Sequence, residues 1–376
     1  MSKEVVKVRI YAGLHERFET PVYFLLPKSN LLTKNLSKAY LETERERFPI
    51  QLKENKEFFE AFLIVPHMNV QETLEGKIVL VDAEEDKEEF SYSSSDGTIK
   101  ISYNEQLIMG YNYGNWLKKP YFYPVVSPNG VRVTEDGPKD HVHHRSLWVA
   151  HGDINGFDFW SEFENSGKIE ANEVKVISSG KIVFELSSKN LWIENTRNVE
   201  LYEDRFLRIW KPTKDLLLDF SISIFNNKKD TKFGDTKEGG ILSVRVNEKI
   251  KVQNGGKIEN SFGGINEEET WGKRAAWCNY SGKVDGRNVG IAIFDHIENF
   301  RFPTYWHVRD YGLMTANMFG VSYFNGSSKM KGDYILPKGE VLKFKYRVLV
   351  HEGKDPNYIK SKYIDFIYPP KVEVLY

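Results

Sequence analysis

Apolar and polar residues alternate with a period of two along much of this chain, over Val5 to Ile10, Lys181 to Leu186, Phe220 to Phe225, Ile241 to Val246, Val289 to Phe294 and Val341 to Val350. That period sends successive side chains to opposite faces, so each segment predicts a half-buried β-strand. The spacers hold turn residues, as in Asn226-Asn227, Asn254-Gly255-Gly256, Asn325-Gly326 and Lys338-Gly339, the chemistry of tight antiparallel connections. One segment reads as helical: Ser29 to Arg47 offers a Ser or Asn cap and charged pairs at helical spacing. The expected class is all-β, a large antiparallel β-sandwich with an N-terminal β domain. The charged run Asp82 to Glu89, followed by Ser91 to Ser95, suggests the junction, giving an N-terminal domain over 1–95 and a larger sandwich domain over 96–376.

Charge narrows the partners. With 52 basic and 53 acidic residues the net charge is −1, so no global field draws in nucleic acid or an anionic membrane. No run approaches membrane-spanning length, and the opening MSKEVVKVRIYAG is charged and alternating where an export signal needs an apolar segment. A cytoplasmic location is expected. The single cysteine, Cys278, allows neither an intrachain disulfide nor a thiolate-rich zinc site. Its packed-strand neighbours make it a poor nucleophile candidate. A homo-oligomer is the base-rate expectation.

Chemistry concentrates in two places. In DHVHHRSLWVAHGDINGFD, four of the nine histidines (His141, His143, His144 and His151) fall close together with Arg145, Asp153, Asn155 and Asp158. Neutral imidazoles at this spacing can ligate a divalent transition metal, with His141 and His143 as the first candidates and His307 as a further ligand. They can equally move protons near neutral pH, with a neighbouring carboxylate tuning them. On an ideal strand His141, His143, Arg145 and His151 share one face and His144 joins Trp148 on the other. The second concentration is TYWHVRDYG, with Trp306, His307, Arg309 and Tyr311. Upstream, Tyr121 opens an aromatic stretch that ends in a Pro and Gly turn, suited to stacking on a sugar face.

Three blocks, DHVHHRSLWVAHGDINGFDFW, WCNYSGKVDGRNVGIAIFDH and PTYWHVRDYGLMTANMFG, resemble the signature blocks of proteins labelled "PmoA family", a domain family of unknown function. With GGILSVRV at Gly239 the resemblance covers nearly the whole chain. Val142 and Ser146 stand where the family usually has Pro and Gly, which alters the loop and leaves every histidine in place. The resemblance implies a sandwich similar to the galactose-mutarotase-like supersandwich, a fold common in proteins that act on sugars, and implies no particular reaction.

The expected function is a carbohydrate-active enzyme using His and carboxylate acid–base chemistry on a sugar or sugar acid, as an epimerase, lyase or hydrolase does. His144, His151, Asp153 and His307 are the catalytic candidates; Arg145, Asn155, Asp158, Trp306, Arg309 and Tyr121 are the binding candidates. The alternatives are a non-catalytic sugar-binding module and a His-ligated metal-dependent enzyme.

Overall fold

In the computed structural model the described residues are 3–28, 38–81 and 89–375. They form two units, one of residues 1–91, 178–184 and 357–376, the other of 92–177 and 185–356. The first cut falls near the expected junction. The C-terminal segment, however, belongs to the first unit, so a contiguous division into 1–95 and 96–376 does not describe the chain.

The first unit contains β1 (Lys3–Tyr11), β2 (Arg17–Pro27), β3 (Lys38–Glu42), β4 (Arg47–Glu54), β5 (Phe58–Met68) and β6 (Thr73–Val81). Residues 38–47, expected to be helical, are strand and turn instead. Ala39 and Leu41 are buried and alternate with less buried neighbours, and that period of two decides the matter over the charged pairs. Residues 29–37 of the expected helix and 82–88 of the expected junction lie outside the described residues.

The second unit runs through β7 (Phe90–Ser95, which starts in the first), β8 (Thr98–Tyr103), β9 (Gln106–Asn112), β10 (Tyr121–Val125), β11 (Leu147–Val149), β12 (Lys168–Ser179) and β13 (Val183–Ile193). It continues with β14 (Val199–Trp210), β15 (Leu216–Phe225), β16 (Thr231–Phe233), β17 (Leu242–Arg245), β18 (Lys257–Asn260), the short helix α1 (Asn266–Thr270), β19 (Trp277–Val284) and β20 (Arg287–Asp295). β21 (Trp306–Arg309), β22 (Leu313–Ala316), α2 (Val321–Phe324), β23 (Tyr334–Leu336) and β24 (Val341–His351) complete it. Helix α3 (Pro356–Ile367) and β25 (Lys371–Leu375) then return to the first unit.

Among the described residues the first unit's sheet has the order β2-β5-β4-β3-β6-β1-β25. Its core is the inward-facing aliphatic set that includes Val8, Ile10, Val22, Leu41, Leu63 and Ile78. Buried Arg17 ties α3 to this unit, reaching Asp365 at 2.9 Å and the Tyr368 carbonyl at 2.8 Å. Thr20 also donates to Asp365. Replacing Asp365 with Asn leaves the guanidinium without its counter-charge, and we expect a loss of about 2 kcal/mol, read as a lower urea midpoint. An unchanged midpoint would show that the pair does not hold α3.

Two antiparallel eight-stranded sheets, β21-β22-β17-β11-β10-β9-β8-β7 and β12-β13-β14-β15-β24-β20-β19-β18, make up the sandwich of the second unit. Phe122 packs edge-on to Phe220, and the Tyr111 hydroxyl donates to Ser188, so these groups join the two sheets through the core. Register explains what the first sheet offers. Tyr111, Phe122, Leu147, Val244, Met314 and Val308 are paired in sequence across it, and directly paired residues share a face. The next row, Asn112, Tyr121, Trp148, Ser243, Thr315 and His307, is paired the same way. One face of the sheet is therefore apolar and closes the core, and the other carries hydroxyl, indole and imidazole groups.

Candidate functional site

The polar row is covered by loops, which brings polar chemistry into a buried setting. Ser243 Oγ, Thr315 Oγ1, Trp148 Nε1 and Trp160 Nε1 are buried and have no hydrogen-bond partner among the described residues. Trp160 packs on Trp148, so these four polar atoms lie on and beside one face of the sheet.

Residues 137–144 do not continue β11 as a strand. Gly137 N–H donates to the His144 carbonyl, His141 N–H to that of Pro138 and His144 N–H to that of His141. These turns cancel the alternation expected of a strand and gather the rings. His141 stacks on His144 at 4.5 Å between centroids and on Tyr311 at 4.6 Å. His143 stands edge-on to both histidines. His144 in turn lies over Trp148. The two sequence concentrations meet here through Tyr311.

Stacking bears on the metal reading. Imidazole lone pairs lie in the ring plane, so two parallel stacked rings do not aim at one ion between them. Among the described residues no three His, Cys, Asp or Glu side chains come together in a way that could hold a metal ion. The set of His141, His143 and His307 is therefore not assembled.

Cations around the rings are matched with carboxylates. Arg245, fully buried, holds both oxygens of Asp140 at 2.7 and 2.6 Å and lies over the Tyr311 ring. Burial pushes the Asp140 carboxyl up, but the Arg245 hydrogen bonds and charge bring it down to about 2. Arg145 grips Glu162 with Nε and Nη2, reaches Asp136 with Nη1, and covers Tyr121, whose hydroxyl donates to Asp136. Lys119 Nζ donates to the Trp160 carbonyl at 2.6 Å and pairs with Glu162 at 3.0 Å. Burial lowers this lysine to about 8. Arg309 pairs with Glu267 at 3.2 Å and lies over the Tyr311 ring.

Two histidines have their tautomers dictated by their partners. His307 Nδ1 lies 2.6 Å from the Lys237 carbonyl, which only accepts, so Nδ1 carries the proton and Nε2 keeps the lone pair. His144 Nδ1 faces the Arg245 guanidinium at 3.3 Å, which only donates, so Nδ1 accepts and Nε2 carries the proton. Burial holds both rings uncharged, His307 down to about 4 and His144 well below the ordinary imidazole range, the latter also repelled by neighbouring charges. Burial lowers His143 as well, and the charge of Glu238 acts on His143, His307 and Tyr311 alike.

Several expected site residues do other work. His151 accepts from Gly240 N–H with Nδ1 and donates to the Gly234 carbonyl with Nε2, leaving no ring nitrogen for a substrate. Asp153 accepts from Gly156 N–H, and Asp158 from the N–H groups of Trp160 and Ser161; both carboxylates fix turns. Asn155 adopts φ 54° and bridges the Lys232 N–H to Glu200. Trp306 is fully buried, with Nε1 donating to the Ala275 carbonyl, so it offers no stacking face. His144, His307, Arg145, Arg309 and Tyr121 remain on or beside the polar row. Cys278 is buried and burial pushes its thiol up, consistent with an inert side chain. Glu162 stands at the end of the histidine-rich stretch without a role assigned from sequence, and sequence reasoning missed Lys119, Arg245 and Glu238. Arg245 had a signal: Ser243 and Arg245 alternate with Leu242 and Val244 in a strand already read from its period.

The family model that matches the chain covers residues 98–361, most of its length. The chain belongs to DUF6807, a family of unknown function. This label differs from that of the PmoA family which the sequence blocks resemble. No curated protein matches this DUF6807 member. Among solved structures it is similar to a glycosyl hydrolase family 38 protein from Enterococcus faecalis, with TM-score 0.44 and 10% identity over 99% of this chain and 47% of that one. An α-mannosidase from Enterococcus faecalis V583 gives TM-score 0.43 and 11% identity over 99% and 46%. An α-galactosidase from Lactobacillus brevis gives 0.35 and 8% over 70% and 39%. The DUF6807 chain thus spans less than half the length of these structures. No helix among its described residues is long and apolar enough to cross a membrane.

Proposed function

We propose that the polar face of the first sandwich sheet is an acid–base site acting on a sugar, with His307 as the base and His144 as a neutral hydrogen-bond donor. The observation that carries this reading is the pair of opposed tautomers: a lone pair on His307 Nε2 and a proton on His144 Nε2, both rings uncharged. A neutral imidazole N–H can polarise a carbonyl without giving up its proton, and a neutral imidazole lone pair can remove a proton from the adjacent carbon. In that step His307 takes the proton and the C–H electron pair passes to the carbonyl oxygen beside His144; return of a proton to the same face gives exchange alone, and return to the opposite face of the carbon completes an epimerisation. Arg245 orients His144 through Nδ1 and is in turn fixed by Asp140.

Hydrolysis by a carboxylate pair fits less well, because it needs one carboxylic acid kept protonated. Here Asp140 is held at about 2, and Lys119 and Arg145 keep Glu162 low against the upward push of burial.

Proton exchange gives a direct test. Incubation with aldoses and ketoses in D2O is expected to place deuterium on the carbon next to the carbonyl, detected by proton NMR. His307→Gln is expected to lower that rate at least about 100-fold while the urea midpoint stays near that of the parent. The rate of the parent should show no inflection near 6.5, since burial has moved the His307 ring to about 4. Binding without exchange would sink the catalytic reading in favour of a sugar-binding module, and an inflection at the ordinary imidazole value would remove His307 as the base.

A further inference from the structure

We infer that the sugar taken at this face is uncharged, an aldose or ketose without carboxylate or phosphate; this rests on the sugar reading above. Four cations beside the rings each have a carboxylate partner. Lys119 faces Glu162, Arg145 grips Glu162 and Asp136, Arg245 holds Asp140 with two nitrogen–oxygen contacts, and Arg309 faces Glu267. Four positive groups thus meet four negative ones, and burial keeps His143, His144 and His307 from adding charge. Recognition of an anionic group depends on a charge-assisted fork or ammonium that is free to turn to it. To receive a carboxylate here, a guanidinium would have to give up its carboxylate partner; for Arg145 those partners, Glu162 and Asp136, are mostly buried, and an unpaired buried charge is strongly unfavourable.

Glu238 argues the same way. Its carboxylate acts on His143, His307 and Tyr311 together, and its own cation, Lys237, is 3.1 Å away. An anionic substrate between these groups would meet like charge. A hydroxyl both donates and accepts, and so suits a site offering a lone pair on His307, an N–H on His144 and the Tyr311 hydroxyl. Beside the cluster, Phe163 is 65% exposed with its ring 6.5 Å from that of His143. An exposed aromatic ring next to polar groups suits the C–H face of a neutral pyranose.

The test compares matched pairs (glucose with glucuronate, galactose with galacturonate, mannose with mannuronate, and short oligomers of each) by isothermal titration at low and high salt. The neutral member of at least one pair is expected to bind about tenfold more tightly than its acid, with an affinity that salt leaves unchanged. Phe163→Ala is expected to weaken that binding several-fold with an unaltered urea midpoint, because the ring is exposed and its removal opens no cavity. Tighter, salt-sensitive binding of the acids would overturn this inference while leaving the sugar site standing. Binding of neither member in any pair would take both down.

Discussion

Lowering the pH from 6.5 towards 4 is expected to unfold the sandwich unit. Burial holds His151 and His307 near 4 and His351 near 3, whereas in an unfolded chain such rings titrate near 6.5. Geometry explains the resistance to protonation. In His151 and His351 the Nδ1 atom already accepts a backbone N–H, from Gly240 and Lys354, so a second ring proton would face a donor. His144 is held lower still, so across this window the unfolded chain binds four protons that the folded chain does not, and stability falls as pH falls. Asp295 works the other way. Burial lifts its carboxyl from 3.8 to about 7, so the stability it contributes is fully present at low pH and is lost as pH rises through about 7. Four protons taken up less the one already held by Asp295 leaves a net uptake of three on unfolding in this window. Over that span three protons amount to about 10 kcal/mol, comparable with the whole stability of a typical domain. Urea titrations at a series of pH values read the slope directly, and Asp295→Asn should steepen it towards four protons. A stability that stays level from pH 6.5 to 4 would mean that these rings are not buried as described.

Trp306→Ala is expected to cost about 3–5 kcal/mol, the ordinary loss for emptying a large aromatic position in a packed core. The side chain is 0% exposed, lies on the face of β21 opposite His307, and adds a hydrogen bond to the Ala275 carbonyl. Trp306→Phe should recover most of the loss, since it refills much of the volume and forfeits only the indole N–H. A substrate-stacking role makes the opposite forecast, namely an unchanged urea midpoint with weakened sugar binding. The two substitutions together therefore decide between core and contact.

The strands were legible because their chemistry is local. Val289 to Phe294 and Val341 to Val350 read as strands from their alternation alone and lie within β20 and β24. Failures came where a longer-range partner decides the outcome. Lys38 to Glu42 looked helical by its charges, yet β4 and β6 flank it as paired strands. The Asn325-Gly326 turn follows α2 instead of joining two strands. At the candidate site, the density of histidines located the right loop, but their grouping depended on turns that strand periodicity does not encode. His151 and His144 look alike in sequence and differ only in partners, backbone for one and Arg245 for the other. Lys119 gave no local sign at all, since its low pKa comes from burial beneath residues more than 40 positions away, such as Trp160.

Because β25 pairs with β1, from Lys7 against Leu375 to Tyr11 against Lys371, the first unit is completed only after both segments of the second, 92–177 and 185–356, have been made. The order of completion therefore runs against the order of synthesis. The sandwich is complete by residue 356 and is free to fold as it leaves the ribosome, while the earlier-made sheet waits with an open edge along β1. An exposed strand edge is a template for wrong partners, so the interval before α3 and β25 emerge is when a nascent chain of this design has most need of a chaperone.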